Sequence, residues 1–289
     1  MAGHYPIIKP SALLPGGFVA AAPGKVNRFL HVLGRLPDSS HRLETGFQFL
    51  NWCDWIHIRK KSIPGIQILH DPLRLNQSNL VYKAAEKLLH QTELGVDILI
   101  EKHLPTGGGL GGGSSDAATT LVVLNHIFDL GLNQISLQKI GIQLGADIPV
   151  FIFGQSCLAT GIGEIFEAIE WPGKRVLIVD PQIIVSTKLI FQHPKLTRDT
   201  PSCSIRAVQL DTTRNDCEAV VRFVYPKIDR LIEGLKVFGD PRLTGTGGCV
   251  FVVDPSNRFS TQDIVGDLGV VKESLLNNRS MLYTSSAVK

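Results

Sequence analysis

Residues 105–116 read PTGGGLGGGSSD, and six of seven consecutive positions from residue 107 are glycine. Glycine inside a helix or strand costs ~0.5–1 kcal/mol relative to alanine, so this run is favoured only where the backbone must approach a ligand closely. Successive backbone N–H groups then form a concave anion site, and a helix that follows adds its partial positive charge. The segment therefore predicts a phosphate-binding loop.

The flanking sequence supports this interpretation. Before the loop, the β-branched residues Val96, Ile98 and Ile100 occupy every second position of residues 96–101, which predicts a strand. After the loop, apolar residues recur at spacings of four, three and four from Ala117 to Phe128, which predicts a helix. A flexible linker is disfavoured because linkers rarely join a strand to an amphipathic helix. Ser114 and Ser115 suit a helix cap, or can turn a hydroxyl toward phosphate or magnesium.

Three kinds of phosphate loop compete for these glycines. The Walker A pattern needs a lysine after its last glycine, and Gly113 is followed by serine. A GxGxxG match begins at Gly107, but a dinucleotide site needs an acidic residue ending the next strand, ~20 residues further on. The nearest candidate, Asp129, falls at the end of the predicted helix instead. A dinucleotide oxidoreductase is therefore a weak rival.

The remaining sequence predicts a mixed order of strands and helices. A strand is predicted for residues 18–34, with a functional kink at residues 25–27. Asn79 is the predicted N-cap of a helix. Further strands are predicted for residues 47–59, 175–185 and 248–253, and the second of these is expected to break at residues 180–181. Helices are predicted for residues 79–91, 217–237 and 261–276. We place a domain boundary at Gly163, which divides the chain into residues 1–163 and 164–289.

Composition excludes several classes of protein. The 289 residues carry 29 basic and 26 acidic side chains, and a net charge of +3 is too small and dispersed to indicate nucleic acid. No apolar run reaches the ~18–20 residues of a membrane helix. Five cysteines without a CxxC pair make a reducing cytoplasm the expected compartment. We interpret the start of the chain as a flexible leader, since prolines and glycines interrupt any apolar core.

Three segments in order resemble the GHMP kinase superfamily. The glycine run resembles its phosphate loop, residues 22–45 (APGKVNRFLHVLGRLPDSSHRLET) its N-terminal motif, and residues 243–251 (LTGTGGCVF) its C-terminal glycine motif. Residues 144–154 and 189–201 are most similar to the branch that acts in the non-mevalonate isoprenoid pathway.

This resemblance implies an α+β, two-domain GHMP kinase fold, with an N-terminal ATP-binding domain and a C-terminal substrate domain. It implies Mg-ATP as cofactor and a cytidine-diphosphate sugar alcohol as substrate, phosphorylated on its 2-hydroxyl. No nucleic-acid or membrane partner is expected, for the reasons of charge and apolar-run length given above. Neither the magnesium ligands nor an oligomeric state follows from it.

The resemblance also assigns residues. The catalytic pair is Lys25 and Asp147, in which Asp147 takes the proton of the attacking hydroxyl and Lys25 orients it or stabilises the attacking oxygen. From residue type alone, Asp147 could equally cap a helix before Pro149, and Lys25 could be a solvated strand-edge lysine.

The ATP-binding positions are Asn79, Leu80, Pro105, Thr106, Gly107, Gly108, Gly109, Leu110, Gly111, Gly112, Gly113, Ser114 and Ser115. The substrate-facing positions are Asn27, His41, Thr187 and Phe191.

One departure from the superfamily branch affects the expected base pocket. The branch has Asp-Gly-Tyr-His where residues 38–41 read Asp-Ser-Ser-His, so Ser40 replaces the aromatic residue expected to stack on cytosine. Phe191 would then hold the base on one side only. This leaves a related kinase acting on another small alcohol as a rival. A catalytically dead nucleotide sensor is a separate rival, and the presence of Lys25 and Asp147 argues against it.

Overall fold

The structure is a computed structural model, and it describes residues 6–203, 213–255 and 269–283. The strands are β1 (Lys9–Pro10), β2 (Phe18–Arg35), β3 (His41–Lys61), β4 (Gly65–His70), β5 (Gly95–Glu101), β6 (Cys157–Thr160), β7 (Ile165–Ala168), β8 (Arg175–Asp180), β9 (Pro241–Leu243), β10 (Val250–Val253) and β11 (Val270–Asn277). The α-helices are α1 (Leu80–Leu89), α2 (Gly112–Ile127), α3 (Gln134–Leu144), α4 (Ile148–Phe153), α5 (Thr187–Gln192), α6 (Glu218–Val224) and α7 (Pro226–Leu235).

A long antiparallel hairpin of β2 and β3 forms the framework of the molecule. Its register shifts between Pro23 and Lys25 and again between Asn27 and Phe29. Such bulges bend a strand and re-aim its side chains. The predicted kink at residues 25–27 is thus confirmed, because these residues lie between the two register shifts.

The described strands form one eleven-stranded sheet with the order β1-β2-β3-β11-β8-β10-β9 along its main path. Strands β5 and β6 also pair with β3, and β4 and β7 extend them outward. Among the strand pairs of the described residues, only β4–β5 is parallel. The predicted boundary at Gly163 falls between β6 and β7, and the division into two domains remains a proposal.

Three apolar clusters surround the site region. In the first, α1 to α4 pack on β2, β3 and β5, with Ile56, Ile98 and Leu121 fully buried. In the second, α6 and α7 pack on β8, β9 and β10. A smaller cluster between them includes Leu110 from the glycine run and Phe251 from β10. The glycine run is thereby held from both sides.

Most predicted elements are confirmed. The glycine run joins β5 to α2, and the Asn79 side chain caps α1 by accepting the Val81 N–H at 2.9 Å. Strand β8 ends at Asp180, within the predicted break at residues 180–181, and residues 182–185 of that prediction do not form a strand. The predicted helix 217–237 is divided into α6 and α7 because Pro226 cannot continue α6.

Two predictions are wrong. A terminal helix is predicted for residues 261–276, but residues 270–276 belong to strand β11. They form a strand because they lie between β3 and β8 and pair with both. Residues 261–268 of the predicted helix lie outside the described residues. The described leader is packed rather than free. Lys9 pairs with Val19, and the Ser11 hydroxyl lies 2.7 Å from His57 Nδ1.

None of the described helices combines the length and apolar character that crossing a bilayer requires.

Candidate active site

The glycine run, β2 and the loops after β8 and β9 enclose a cavity of about 550 Å³. Its lining includes most of the residues that the superfamily resemblance assigned: Lys25, Asn27, Asn79, Leu80, Pro105, Thr106, Gly107, Gly108, Gly109, Gly111, Gly112, Gly113, Ser114, Asp147, Thr187 and Phe191. Leu110 and Ser115 are buried beneath the loop, and His41 lies behind Phe191 rather than on the cavity wall. Residues predicted from three separate motifs are therefore brought together.

Backbone conformation explains why the loop needs glycine. Gly107, Gly109 and Gly111 have φ values of +75°, +81° and +74°, in the left-handed region that other residues adopt at a cost. Helix α2 begins directly after Gly111, so its first free N–H groups face the cavity floor. This arrangement of a glycine turn and a helix N-terminus is suited to bind phosphate.

The C-terminal glycine motif packs directly against this loop. A Cβ atom on Gly109 would overlap the Thr244 carbonyl oxygen, and one on Gly247 would overlap the Gly109 backbone. The Thr244 hydroxyl contacts the Gly109 carbonyl oxygen at 3.3 Å, and Cys249 N–H donates to the Gly108 carbonyl at 3.1 Å. Two glycine segments separated by more than a hundred residues thus form one surface.

Lys25 is the centre of the polar network. Its ammonium group donates to Asn27 Oδ1 at 2.6 Å and to the Gly109 carbonyl at 3.0 Å, and it lies 3.2 Å from Asp147 Oδ2. The Lys25 residue is only 2% exposed, whereas the Asp147 side chain is 38% exposed. An ammonium has three N–H donors, and all three have acceptors here. The lysine therefore holds an open carboxylate at the edge of the phosphate loop.

A second charged cluster lies beneath the start of α2. Lys102 forms ion pairs with Asp54 and, at 2.8 Å, with Asp116. Burial, together with repulsion from Asp54, raises the pKa of Asp116 to about 7 despite the attraction of Lys102. Asp116 Oδ1 has no hydrogen-bond partner among the described residues, nor does the Ser115 hydroxyl. Both groups lie at the helix end that faces the phosphate loop.

The far end of the cavity contains aromatic and polar groups. The His41 and Phe191 rings lie 5.0 Å apart between centroids, tilted by 35°. Arg198 Nε donates to His41 Nε2 at 3.2 Å, and Arg198 Nη2 donates to the Phe191 carbonyl at 2.7 Å. Since Nε2 accepts a hydrogen bond, the proton of neutral His41 lies on Nδ1. Burial, then the charge of Arg198, lowers the pKa of His41.

Sequence reasoning missed several residues of this site. Asp116 directly follows the quoted serines, and its acidic character next to a phosphate loop was a usable signal. Arg198 also lay within a motif segment, but its contact with His41, 157 residues away, could not be read from spacing. Lys102 and Asp54 gave no local signal, because their pairing depends on how β3 and β5 align.

Comparison with known proteins establishes the family. Residues 79–155 match the family described as GHMP kinases N terminal domain. A 4-diphosphocytidyl-2-C-methyl-D-erythritol kinase from Nitrosococcus oceani is 44% identical over 80% of this chain and 83% of its own length. The chain belongs to this kinase family. A member from Pseudomonas syringae pv. syringae is 46% identical over 82% of the chain and 86% of its own length.

Solved structures agree with the family at the level of the fold. The crystal structure of a 4-(cytidine 5'-diphospho)-2C-methyl-D-erythritol kinase superposes with a TM-score of 0.77 at 26% identity, covering 89% of this chain and 98% of that one. A homoserine kinase from Cytophaga hutchinsonii, at 16% identity, gives a TM-score of 0.64 over 92% of this chain and 96% of its own. The predicted α+β GHMP kinase fold is confirmed.

Proposed function

We propose that this protein transfers the γ-phosphoryl group of ATP to the 2-hydroxyl of 4-diphosphocytidyl-2-C-methyl-D-erythritol, a step in the non-mevalonate route to isoprenoid precursors. The observation that carries the proposal is the Lys25–Asp147 pair, which lies at the junction of the phosphate loop and the base-binding end of one cavity. ADP and the 2-phosphate are the products.

The nucleotide occupies the half of the cavity next to α1 and α2. Its phosphates lie on the glycine loop and the N-terminus of α2, where free N–H groups and the helix dipole favour negative charge. Asn79 and Leu80 line the same half, beyond the loop. The side-chain oxygen Oδ1 of Asn79 accepts the Val81 N–H in the α1 cap, so the side-chain Nδ2 group is the one left to bind the nucleotide.

The residues near the loop fit a magnesium ion. Mg²⁺ takes oxygen ligands, commonly one or two carboxylates together with substrate phosphates. Asp116 lines the cavity with a carboxylate oxygen that lacks a hydrogen-bond partner among the described residues, and Ser114 lines it nearby. We infer that these two side chains would hold the ion, which would supply positive charge to offset that of the nucleotide phosphates.

Proton removal is assigned to Asp147. Phosphoryl transfer depends on positioning and charge stabilisation more than on covalent help, and a carboxylate can accept the proton of the attacking hydroxyl. Lys25 holds that carboxylate from one side and leaves its other side open to the cavity. Asn27 fixes the lysine in turn, because its amide donates to Thr45 Oγ1 at 2.9 Å and its carbonyl accepts from Lys25.

The cytidine group is assigned to the His41–Phe191 end. Arg198 fixes the position of both residues and leaves His41 Nδ1–H as a donor. Phe191 offers a flat face to a base, and one base–aromatic stack is worth ~1–3 kcal/mol. Thr187, whose hydroxyl lies 2.8 Å from that of Thr246, lines the wall between this end and the glycine motif.

A related kinase that acts on another small alcohol is the alternative, and Ser40 motivates it. We suggest measuring ADP release with ATP and a panel of alcohols: the cytidine-diphosphate substrate, the same sugar alcohol without its cytidine, homoserine and mevalonate. Activity confined to the cytidine compound supports the proposal. Faster turnover of another alcohol supports the alternative, and no ADP release with any of them supports a catalytically dead sensor.

A further inference from the structure

Three side chains with metal-binding atoms meet outside the active-site cavity. His31 on β2 lies directly opposite Glu44 on β3 in the hairpin register, and Cys203 approaches them from the segment that follows α5. The imidazole nitrogen, a carboxylate oxygen and the thiol sulfur all lie within 4.8 Å of one another. None of the three residues lines the cavity that contains Lys25.

The buried imidazole lacks a partner. His31 Nδ1 makes no hydrogen bond with any described residue, although the His31 side chain is only 7% exposed. Burying a polar atom without a partner costs free energy, so the position favours a ligand that satisfies it.

The carboxylate is already oriented toward this nitrogen. Glu44 Oε1 accepts the Ser202 hydroxyl at 2.8 Å, and Glu44 Oε2 accepts the Cys203 N–H at 2.9 Å. Glu44 Oε2 lies 3.8 Å from His31 Nδ1. A tetrahedral zinc ion, with bonds of ~2.0–2.3 Å, holds its ligand atoms ~3.3–3.7 Å apart. Small side-chain shifts therefore bring all three atoms into range.

We propose that His31, Glu44 and Cys203 form a zinc site, with water as the fourth ligand. Zinc binds imidazole nitrogen, thiolate sulfur and carboxylate oxygen, which are the three atom types present here, whereas magnesium prefers oxygen ligands alone. Binding requires the Cys203 thiol to lose its proton, which passes to solvent as the sulfur–zinc bond forms. The ion would tie Cys203 to the β2–β3 hairpin, independently of the kinase reaction.

Cobalt titration tests the site through its sulfur ligand. The full-length protein is reduced, freed of metal with a chelator and titrated with Co²⁺. We expect thiolate-to-cobalt charge-transfer absorption that saturates at a single equivalent, is displaced by Zn²⁺ and is unaffected by Mg²⁺. Cys203→Ser should abolish that band. Cys157→Ala, which removes a buried cysteine of the α1–α4 core, is the matched control and should keep it.

Thermal unfolding with Zn²⁺ supplies a second readout. His31→Phe keeps a ring against Phe29, which lies 5.0 Å away, but removes the nitrogen ligand. It should fold without metal and lose the rise in Tm that Zn²⁺ gives the natural protein. Its zinc affinity should fall by more than ~100-fold, since even the outer hydrogen-bonding partners of a metal ligand are worth ~10–100-fold. Absence of the cobalt band in the natural protein, or its persistence in Cys203→Ser, would overturn the proposal.

Discussion

The burial of Lys25 separates two interpretations that residue type alone left open. A solvated strand-edge lysine would expose its ammonium, but the residue is 2% exposed and each of its donors has an acceptor. Asp147 stands at the N-terminal cap position of α4, yet its side chain makes no capping hydrogen bond. The carboxylate is therefore used for Lys25 and the cavity rather than for the helix.

Replacing Asp147 should separate nucleotide binding from turnover. We expect Asp147→Asn to bind ATP with normal affinity and to lose ~10²–10⁴-fold in kcat, the usual worth of a general base. Calorimetry with ATP and steady-state kinetics measure the two effects. Asp129→Asn, an exposed site with a left-handed φ that asparagine tolerates, is the control. A kcat close to that of the natural protein would remove Asp147 from the base role.

Ser40 lies beside the proposed base pocket. Its N–H and hydroxyl donate to Asp38 Oδ1 at 2.9 and 2.6 Å, so it forms part of an exposed turn next to His41. We expect Ser40→Tyr to lower KM for the cytidine substrate by the equivalent of up to ~1–3 kcal/mol, one base–aromatic stack. If the ring holds substrate and transition state equally, kcat stays level.

Two comparisons decide whether that effect comes from stacking. Ser40→Leu adds apolar bulk without an aromatic face and should give a smaller gain. A substrate without its cytosine should gain nothing from Ser40→Tyr. An unchanged KM for the full substrate would show that another side chain already covers that face of the base.

At the scale of elements, the phosphate loop depends on its contact with the C-terminal glycine motif. Lys25 N–H donates to the Leu110 carbonyl at 2.9 Å, and Asn27 N–H donates to Thr244 Oγ1 at 3.0 Å. The bulged part of β2 thus joins both glycine segments. Neither motif forms the site alone, which explains why they occur together in one chain.

A methyl group on Gly109 should disrupt this contact. Alanine there meets the Thr244 carbonyl and must adopt a left-handed φ, which costs ~1–2 kcal/mol. We expect Gly109→Ala to lower the free energy of unfolding by about that amount and to weaken ATP binding by at least ~10-fold, about 1.4 kcal/mol of lost contact. Gly34→Ala, which has open space around its Cβ, is the control. Unchanged ATP affinity in Gly109→Ala would place the phosphates elsewhere.

Elements with local signals were predictable, and those fixed by distant partners were not. The glycine run, the Asn79 cap and the kink at residues 25–27 each have a cause within a few residues. Residues 270–276 have no such local cause, because their strand conformation comes from lying between β3 and β8. The same limit applies to the site, where Lys25 was recognisable in its motif but Lys102 was not.

At the scale of the whole molecule, the charge cluster beneath α2 should make stability depend on pH. The pKa of Asp116 is about 7 in the folded protein, against ~3.9 in an unfolded chain. The folded state therefore binds this proton more tightly. The contribution of this proton to the free energy of unfolding is fully present below the pKa that Asp116 has in the unfolded chain, and it is lost as pH rises toward 7.

Replacing this carboxyl should flatten the pH profile. Asparagine at residue 116 cannot ionise, and Lys102 keeps its pairing with Asp54. We expect the free energy of unfolding of Asp116→Asn, measured with urea, to change less between about pH 5 and about pH 8 than that of the natural protein. Asp129→Asn should behave like the natural protein. Equal pH slopes for natural protein and Asp116→Asn would contradict the assignment.

Residues from three motifs that lie far apart in the sequence line one cavity in the folded molecule. The central claim is that this cavity phosphorylates the 2-hydroxyl of 4-diphosphocytidyl-2-C-methyl-D-erythritol. Phosphorus NMR of that compound incubated with ATP, Mg²⁺ and the protein tests the claim directly. We expect a new phosphomonoester signal, coupled to the 2-position, that grows in step with ADP and that grows ~10²–10⁴-fold more slowly with Asp147→Asn. Unchanged substrate under conditions in which ATP binds would contradict it.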